Sequence, residues 1–544
     1  MKRIVNALGK LSWGKRACAV FALSATTAIV LHAQTFTTLH SLDGTDGEGE
    51  NPVAALVQAT NGDLYGTTGL GGANAAGTVF KITPSGTLTT FYSFCSQSGC
   101  TDGSRPYAGL IQATNGDFYG TTYFGGGAKD DGTVFKITPS GALRTLYSFC
   151  SQSGCTDGGL PDAGLVQAAN GNFYGTTDGG GANAAGTVFK ITTGGKLTTL
   201  YSFCAQSGCT DGQYPDAGLI QATNGDFYGT TSGSSGVGTV FKITTGGKLT
   251  TLHSFCSQSG CTDGQYPYAG LVQATNGDFY GTTSAGGASG HGTVFKITPS
   301  GALRTLYSFC SQSGCTDGSG PYAGLIQATN GDLYGTTEYG GAYGYGTVFE
   351  MTPGGTLTTL YSFCAQSGCT DGQYPYAGLV QDTNGTFYGT TEYGGAYGDG
   401  TIFTLSVGLG PFVRTLPTSG KVGAAVKILG TGLTGSTSVT FNGTAATFTV
   451  VSASEITTTV PVGATTGTAQ VVTPSATLSS NVPFQVNAPL ISATQLPKPF
   501  DPRAGGCARA GAALAILQRV QFVANRSERP GAGGQQFHDR GHRR

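Results

Sequence analysis

The stretch Ala108-Gly-Leu-Ile-Gln-Ala-Thr-Asn-Gly-Asp-Phe-Tyr-Gly-Thr-Thr122 recurs, with small changes, seven times in a chain of 544 residues. The tyrosine of one copy is separated from the tyrosine of the next by 52 to 55 residues. A fixed period of this length is typical of a repeat architecture, so one period predicts the whole fold. The seven tyrosines are Tyr65, Tyr119, Tyr174, Tyr228, Tyr280, Tyr334 and Tyr388.

One period contains four short runs that favour strands: Leu110–Thr114, Asp117–Thr122, Gly132–Thr138 and Leu143–Phe149. Asn-Gly between the first two runs tolerates the positive φ of a type I′ turn and predicts a tight hairpin. Four antiparallel strands per period predict one blade of a β-propeller. A solenoid is the alternative, but its usual repeats are shorter or helical, and no helical periodicity is present.

The two ends of the repeat array predict a closed ring. The seventh repeat ends at Gly400–Leu405 without a fourth strand, and Thr35–Leu42 precedes the first repeat as a lone fourth strand. The lone run is similar to Leu249–Phe255. An open array would leave an unpaired edge at each end, which favours aggregation. We therefore predict a seven-bladed β-propeller over residues 35–408, closed by its N-terminal strand.

The first 34 residues are typical of a secretory signal. A basic start that includes Lys2 and Arg3 precedes the apolar stretch Ala17–Leu31, and Leu31-His-Ala33 suits cleavage. The alternative is a membrane anchor, but about 15 residues is short for a spanning helix. Charged residues make up 10% of the chain and the net charge is −1, which argues against nucleic-acid binding. We predict a secreted or cell-surface monomer, with no transmembrane segment after cleavage.

Twelve of the 14 cysteines form regular pairs in the connections between periods. Each pair frames Ser/Ala-Gln-Ser-Gly, and pairs of this kind in an exported chain predict local disulfides. A metal site is the alternative, but no histidine accompanies the pairs. The predicted disulfides are Cys95–Cys100, Cys150–Cys155, Cys204–Cys209, Cys256–Cys261, Cys310–Cys315 and Cys364–Cys369.

An Asp-Gly dipeptide follows each cysteine pair, as at Asp102-Gly103. These acids could hold calcium, but Asp-Gly favours turns without any ion, and we predict turns. The best calcium candidate is the acidic cluster before the first repeat, although it does not match an EF-hand loop. That cluster contains Asp43, Asp46, Glu48 and Glu50. No other cofactor is predicted.

The tandem pattern NGDFYGTT…GTVFKIT…G.L.TLYSF resembles the GloVer repeats of the choice-of-anchor tandem repeat family. The resemblance covers residues 35–408. It implies an exported bacterial protein that ends in a surface-anchoring signal, and it implies no catalytic activity.

Residues 411–487 lack the repeat and are rich in valine and threonine. Runs such as Val426–Leu433 and Ile456–Gly463 resemble an IPT/TIG domain, which implies an immunoglobulin-like β-sandwich that serves as a spacer or binding accessory. The segment is nearly uncharged, so DNA binding is not expected. Residues 488–544 are basic, contain no recognisable anchor and predict a disordered tail; a shifted reading frame is the alternative.

Catalytic motifs are sparse: the sequence has no nucleophile elbow, phosphate loop or zinc-protease motif. We therefore expect a binding scaffold for an extracellular carbohydrate or protein, and not an enzyme. The alternative is a propeller hydrolase or lyase that acts on polysaccharide.

The loop between the second and third strands differs most from repeat to repeat. It reads Tyr123–Asp131 in one repeat, Ser232–Val237 in another and Glu338–Tyr345 in a third. A variable loop set on uniform strands predicts the binding surface, and tyrosine suits sugar or protein contacts. Packing between adjacent loops is the alternative role of these aromatic residues. The candidate ligand-binding residues are Tyr123, Phe124, Tyr339, Tyr343, Tyr345, Tyr393 and Tyr397.

Overall fold

The structure is a computed structural model that describes residues 34–233 and 237–487. The predicted signal, up to residue 33, and the predicted tail, residues 488–544, lie outside the described residues. So do residues 234–236 of one variable loop and the side chain of the calcium candidate Asp46.

Each of the seven repeats forms a four-stranded antiparallel sheet, numbered here in chain order. Sheet 1 contains β2 (Val57–Gln58), β3 (Leu64–Thr68), β4 (Thr78–Ile82) and β5 (Leu88–Ser93). Sheet 2 contains β6 (Ile111–Gln112), β7 (Phe118–Thr122), β8 (Thr133–Ile137) and β9 (Leu143–Ser148). Sheet 3 contains β10 (Val166–Gln167), β11 (Phe173–Thr177), β12 (Thr187–Ile191) and β13 (Leu197–Ser202). Sheet 4 contains β14 (Ile220–Gln221), β15 (Phe227–Thr231), β16 (Thr239–Ile243) and β17 (Leu249–Ser254).

The remaining three sheets repeat this order, and the seventh takes one strand from the start of the chain. Sheet 5 contains β18 (Val272–Gln273), β19 (Phe279–Thr283), β20 (Thr293–Ile297) and β21 (Leu303–Ser308). Sheet 6 contains β22 (Ile326–Gln327), β23 (Leu333–Thr337), β24 (Thr347–Met351) and β25 (Leu357–Ser362). Sheet 7 contains β26 (Val380–Gln381), β27 (Phe387–Thr391), β28 (Thr401–Ser406) and β1 (Thr35–Ser41).

Neighbouring sheets pack through their aromatic and aliphatic side chains. Every residue of β7 is buried, as expected for a strand between two packed layers. Tyr119 of sheet 2 lies 4.1 Å, ring centre to ring centre, from Phe173 of sheet 3. Both residues belong to one core cluster with Phe189 and Ile191. Side chains of the repeated sequence therefore form the hydrophobic core between neighbouring sheets.

Sheet 7 contacts sheet 1 in the same way. Leu64 and Phe80 of sheet 1 share a core cluster with Tyr388 and Ile402 of sheet 7. The Thr390 hydroxyl donates to the Pro52 carbonyl oxygen at 2.8 Å. It also lies 3.5 Å from the Ala54 carbonyl oxygen, the equivalent of the acceptor that Thr121 of sheet 2 uses in sheet 3. The N-terminal strand β1 pairs antiparallel with β28, as the ends of the array predict.

The Asn-Gly connection is not the type I′ turn that the sequence predicts. Only Gly116 has a positive φ, 90°, and the strands meet where the Ala113 amide donates to the Asp117 carbonyl oxygen. A three-residue connection therefore separates the strands. Asn115 acts through its side chain instead, because its Oδ1 accepts from the Asp117 amide and its Nδ2 donates to the Tyr119 hydroxyl.

Each predicted cysteine pair is a disulfide within one loop, with Cα atoms 3.9 to 4.1 Å apart. A short 3₁₀ turn ends at the second cysteine of each pair. These turns span Ser98–Cys100, Ser153–Cys155, Ser207–Cys209, Ser259–Cys261, Ser313–Cys315 and Ser367–Cys369, and a further 3₁₀ turn spans Gly44–Asp46.

The aspartate after each cysteine pair does more than form a turn. Asp157 is fully buried, and its carboxylate accepts from the Tyr147 hydroxyl, the Ser151 amide and hydroxyl, and the Gln152 amide at 2.7 to 3.2 Å. Buried carboxylates need such donors, so this side chain organises the disulfide loop from inside.

Residues 411–487 form a second module of two facing sheets. One sheet contains β29 (Arg414–Leu416), β31 (Ala425–Leu429), β35 (Glu455–Thr459) and β34 (Phe448–Val450). The other contains β33 (Thr444–Ala445), β32 (Ser438–Phe441), β36 (Ala469–Val472) and β37 (Thr477–Ser479), and a parallel pair joins β30 (Ser419–Lys421) to β38 (Gln485–Asn487). Ile428, Val439, Phe441 and Phe484 lie in its own hydrophobic core. Within the described part of the chain, no helix has the length and apolarity needed to cross a membrane.

Candidate ligand-binding face

The disulfide loops and the variable glycine-rich loops lie on the same face of the sheets. The Ser104 amide donates to the Phe124 carbonyl oxygen at 2.9 Å, and the Gly126 amide donates to the Cys100 carbonyl oxygen at 2.9 Å. We call this surface the disulfide-loop face. The opposite surface, which contains Thr114–Gly116, Pro139–Gly141 and their equivalents in other sheets, is the turn face.

The second module rests on the turn face. The Ser454 hydroxyl donates to the Thr60 carbonyl oxygen at 2.9 Å, and the Thr383 and Thr431 hydroxyls are 2.9 Å apart. A cleft between the two parts is lined by turn residues such as Thr114 and by Pro417 of the module. Within the described residues, the module therefore covers part of the turn face and leaves the disulfide-loop face uncovered.

Four of the predicted tyrosines are exposed on the disulfide-loop face. Tyr343 is 53% exposed and Tyr397 is 62% exposed. Tyr339 and Tyr393 both contact Tyr374 edge to face, with ring centres 5.6 and 6.1 Å from it. The loops of sheets 6 and 7 thus form one aromatic patch.

The other three predicted residues are partly buried. Tyr345 packs against Tyr374 at 5.5 Å and borders a core cluster. In sheet 2, Tyr123 lies between Tyr107 and Phe124, and Arg105 covers the Phe124 ring at 5.2 Å. These side chains support the loops as well as contributing to the surface.

The predicted calcium candidates have protein partners. Asp43 accepts from the Thr45 amide at 2.9 Å, and Glu48 lies 2.8 Å from His40 Nε2. The Glu50 backbone pairs with Leu70. Calcium binding by this cluster stays a prediction.

Two cysteine pairs have a third potential metal ligand beside them: His291 lies beside Cys310–Cys315, and Asp131 lies beside Cys150–Cys155. Their sulfurs are joined in disulfides and offer no thiolate, which is the form of cysteine that binds a metal.

An inner ring of polar and aromatic side chains was not predicted from the sequence. Glycines mark a row of close backbone approaches between neighbouring sheets: a Cβ on Gly164 would lie 3.2 Å from the Gly109 carbonyl oxygen of the preceding sheet, and five further sheet pairs show the same close approach. One member of the inner ring lies two residues before each of these six glycines, and a seventh lies two residues before Ala55 in sheet 1. Each member directly follows a proline. In chain order these are Val53, Tyr107, Asp162, Asp216, Tyr268, Tyr322 and Tyr376.

A second set of side chains joins the inner ring from the start of each variable loop. It includes Asp178, Glu338 and Glu392, and the Asp178 and Asp216 carboxyl groups hydrogen-bond to each other. Burial, and then the charge of Asp178, raises the pKa of Asp162 to about 6. Burial, and then the charge of Asp178, raises the pKa of Asp216 to about 8. Burial also raises the pKa of Glu338 and of Glu392.

We expect Asp216→Asn to raise the Tm of the protein by roughly 4 °C at pH 8, and we expect the increase in Tm to be smallest near pH 4. An unfolded aspartate ionises near about 3.9, whereas Asp216 keeps its proton to about pH 8 in the fold. The unfolded chain therefore binds fewer protons in this window, and stability falls as the pH rises through it. Melting curves at both pH values test this. Asp226→Asn, on the turn face, is the control, and an equal gain at both pH values for Asp216→Asn would refute the assignment.

The repeated four-stranded antiparallel sheets define an all-β repeat protein with propeller-like sheets. A family model described as the Gloeobacter/Verrucomicrobia repeat matches residues 19–169, 152–316 and 232–453. The chain belongs to this family. No curated protein matches it.

Several solved structures are similar in fold at low sequence identity. A fungal alcohol oxidase in complex with copper is 13% identical, with 84% of this chain and 99% of that chain covered and a TM-score of 0.46. A lectin from Burkholderia pseudomallei is 11% identical, with 67% and 98% covered and a TM-score of 0.44. An auxiliary nutrient-binding protein from Bacteroides thetaiotaomicron is 12% identical, with 55% and 68% covered and a TM-score of 0.35.

Proposed function

We propose that this chain is an exported binding scaffold whose seven sheets close into a seven-bladed β-propeller, and whose disulfide-loop face holds an extracellular carbohydrate or protein. One observation carries the proposal. The second module occupies part of the turn face, while Tyr339, Tyr343, Tyr393 and Tyr397 remain exposed on the opposite face. Exposed aromatic side chains on loops held by a rigid framework are typical of binding surfaces.

The remaining assignments follow from the same picture. Residues 411–487 act as an IPT/TIG spacer that turns the binding face outward. Six loop disulfides suit an oxidising compartment, which supports export through a cleaved signal and a place outside the cell or at its surface. The module and propeller act as a monomer.

A second candidate function is cleavage of a polysaccharide in the inner ring, by a hydrolase or a lyase reaction. It is favoured by the hydrogen-bonded carboxyl pair Asp178 and Asp216, because such pairs separate into acid and base roles. Binding remains the main proposal, because the exposed tyrosines belong to the variable loops of sheets 6 and 7, whereas this carboxyl pair belongs to sheets 3 and 4.

Arrays of bacterial and plant polysaccharides and of extracellular proteins, paired with a turnover screen of the same polysaccharides, test the proposal. The binding scaffold predicts retention of at least one array component with no release of product. Product release that is lost in Asp216→Asn would favour the enzyme. The absence of any array binding and of any turnover would contradict both.

A further inference from the structure

Three tyrosines of the inner ring form one continuous aromatic surface. The rings of Tyr268 and Tyr322 are 5.5 Å apart between centres and those of Tyr322 and Tyr376 are 5.4 Å apart, with planes inclined by 24° and 23°. These spacings are typical of offset stacking. Tyr268 and Tyr376 are each 36% exposed, so a ligand can reach the surface that sheets 5, 6 and 7 build together.

Asp162 of sheet 3 and Asp216 of sheet 4 occupy the same position as these tyrosines, directly after a proline and two residues before the glycine that closely approaches the preceding sheet. Burial, and then the charges of Asp162, Glu338 and Asp216, raise the pKa of the Tyr376 hydroxyl. Burial, and then Asp216, raise the pKa of Tyr268, to which Asp178 also contributes. The tyrosine surface and the acidic groups are therefore close enough to interact electrostatically.

In the part of the chain that the structure describes, no ion pair joins a basic side chain to these carboxylates. Within residues 34–233 and 237–487, the ion pairs lie elsewhere, for example between Lys136 and Asp117 and between Lys427 and Glu455. None of them includes Asp162, Asp178 or Asp216. An aromatic surface beside carboxylates without a basic partner is complementary to a positively charged organic group.

We propose that the inner ring binds a ligand with a protonated amine, which contacts the Tyr268, Tyr322 and Tyr376 surface and is neutralised by Asp162, Asp178 and Asp216. The proposal rests on the proposed binding role of the disulfide-loop face and names the chemistry of its ligand. An ammonium group is attracted to the face of an aromatic ring and forms charge-assisted hydrogen bonds to carboxylates. A bare metal ion would use the oxygens alone and leave the tyrosine surface without a role.

Two sources supply such an amine: the amino sugars of a de-acetylated polysaccharide and the aliphatic polyamines. Glucosamine tetramer and spermidine serve as their probes. N-acetylglucosamine tetramer is the matched neutral ligand, because it differs from the first probe only in its acetylated nitrogens.

Binding of the polyamine should strengthen with pH. Alkyl amines of the lysine type stay protonated up to about pH 10.4, whereas Asp162 ionises near pH 6 and Asp216 near pH 8. The other groups facing these carboxyls are Asp178, Glu338, Tyr107, Tyr123, Tyr268, Tyr322 and Tyr376. Burial raises the pKa of Glu338 and of Tyr123, the latter to about 12, so none of these groups adds positive charge as the pH rises.

Isothermal titration of the full mature chain at pH 5 and pH 8 tests the inference. We expect at least one amine probe to bind at least tenfold more tightly than the acetylated tetramer, and spermidine to gain at least tenfold in affinity from pH 5 to pH 8 if it is the bound form. The triple variant Asp162→Asn, Asp178→Asn, Asp216→Asn should lose at least tenfold in affinity, and so should Tyr322→Ala. The relative strength of the two amine probes identifies the source.

The control variant is Asp117→Asn, Asp226→Asn, Asp278→Asn, which removes the same charge from the turn face. The chain itself has asparagine at the equivalent position, Asn172, so the fold tolerates this change. Equal binding of the neutral tetramer, failure of both amine probes, or equal losses in the two triple variants would overturn the inference. An array ligand that is neutral and yet depends on Tyr339 and Tyr393 would overturn it while leaving the proposed function standing.

Discussion

Deletion of Thr35–Leu42 should lower the melting temperature of the mature chain by roughly 10 °C or more, whereas deletion of residues 488–544 should leave it almost unchanged. The first deletion removes β1, which pairs with β28 along its whole length. It also removes Phe36, whose ring stacks on Tyr361 at 3.7 Å and lies 5.3 Å from Phe403. Loss of a fully buried phenylalanine lowers stability by about 3–5 kcal/mol, and Phe36, which is partly buried, should contribute less than that.

The same deletion exposes a new sheet edge. Without β1, strand β28 presents unpaired backbone groups to solvent, and such edges favour association between chains. Scanning calorimetry and size-exclusion chromatography of both truncations measure the two effects. Equal melting temperatures for the two truncations would contradict closure of the ring by the N-terminal strand.

Asp157→Ala should reduce the free energy of unfolding by about 3 kcal/mol or more. The substitution leaves the Tyr147 hydroxyl and the Ser151 and Gln152 amides without their buried acceptor. Asp317, the equivalent of Asp157 in another disulfide loop, shows that these hydrogen bonds stabilise the ionised carboxylate. Burial acts to raise the pKa of Asp317, but hydrogen bonds from Tyr307 and Ser311 lower it overall.

Ser151→Ala is the matched control for this loop. It removes one hydrogen bond to Asp157, and the chain has alanine at the equivalent positions Ala205 and Ala365. Denaturant unfolding should show a change below about 1 kcal/mol for this variant. If the two variants lose the same stability, the carboxylate does not organise the loop.

The contribution of these carboxylates also depends on pH. The folded pKa of Asp317 and of Asp263 lies below the unfolded value. Their stabilisation is therefore present above the unfolded pKa, about 3.9, and is lost as the pH falls through the folded pKa.

The strands and their pairing could be predicted because the repeated phrase combines period and chemistry. Tyr119 and its six equivalents recur in register, and the missing last strand of the array pointed to β1. The two-residue inner strands, such as Ile111–Gln112, are shorter than predicted because only two residues pair before the Asn115 side chain begins the turn.

Other features depend on contacts that periodicity does not reveal. Asp157 follows a turn pattern in the sequence, and only the folded loop shows that its carboxylate is buried under four donors. The inner ring was missed because the residue type at this position of the repeat varies, for example from Tyr107 in sheet 2 to Asp162 in sheet 3, although the position itself is the same in every repeat. The constant proline before each ring member was the one feature that could have located it.

We propose that the disulfide-loop face binds the ligand and that the turn face does not. Surface plasmon resonance with the array component that binds most strongly tests this directly. It compares two variants with the native chain. The tyrosine variant carries Tyr339→Ala, Tyr343→Ala, Tyr393→Ala and Tyr397→Ala, and the threonine variant carries Thr223→Ala and Thr275→Ala. The control pair lies on the turn face, where both threonines are exposed. We predict that the tyrosine variant loses binding with its melting temperature unchanged and that the threonine variant binds like the native chain. Binding that survives the tyrosine changes and is lost with the threonine changes would contradict the claim.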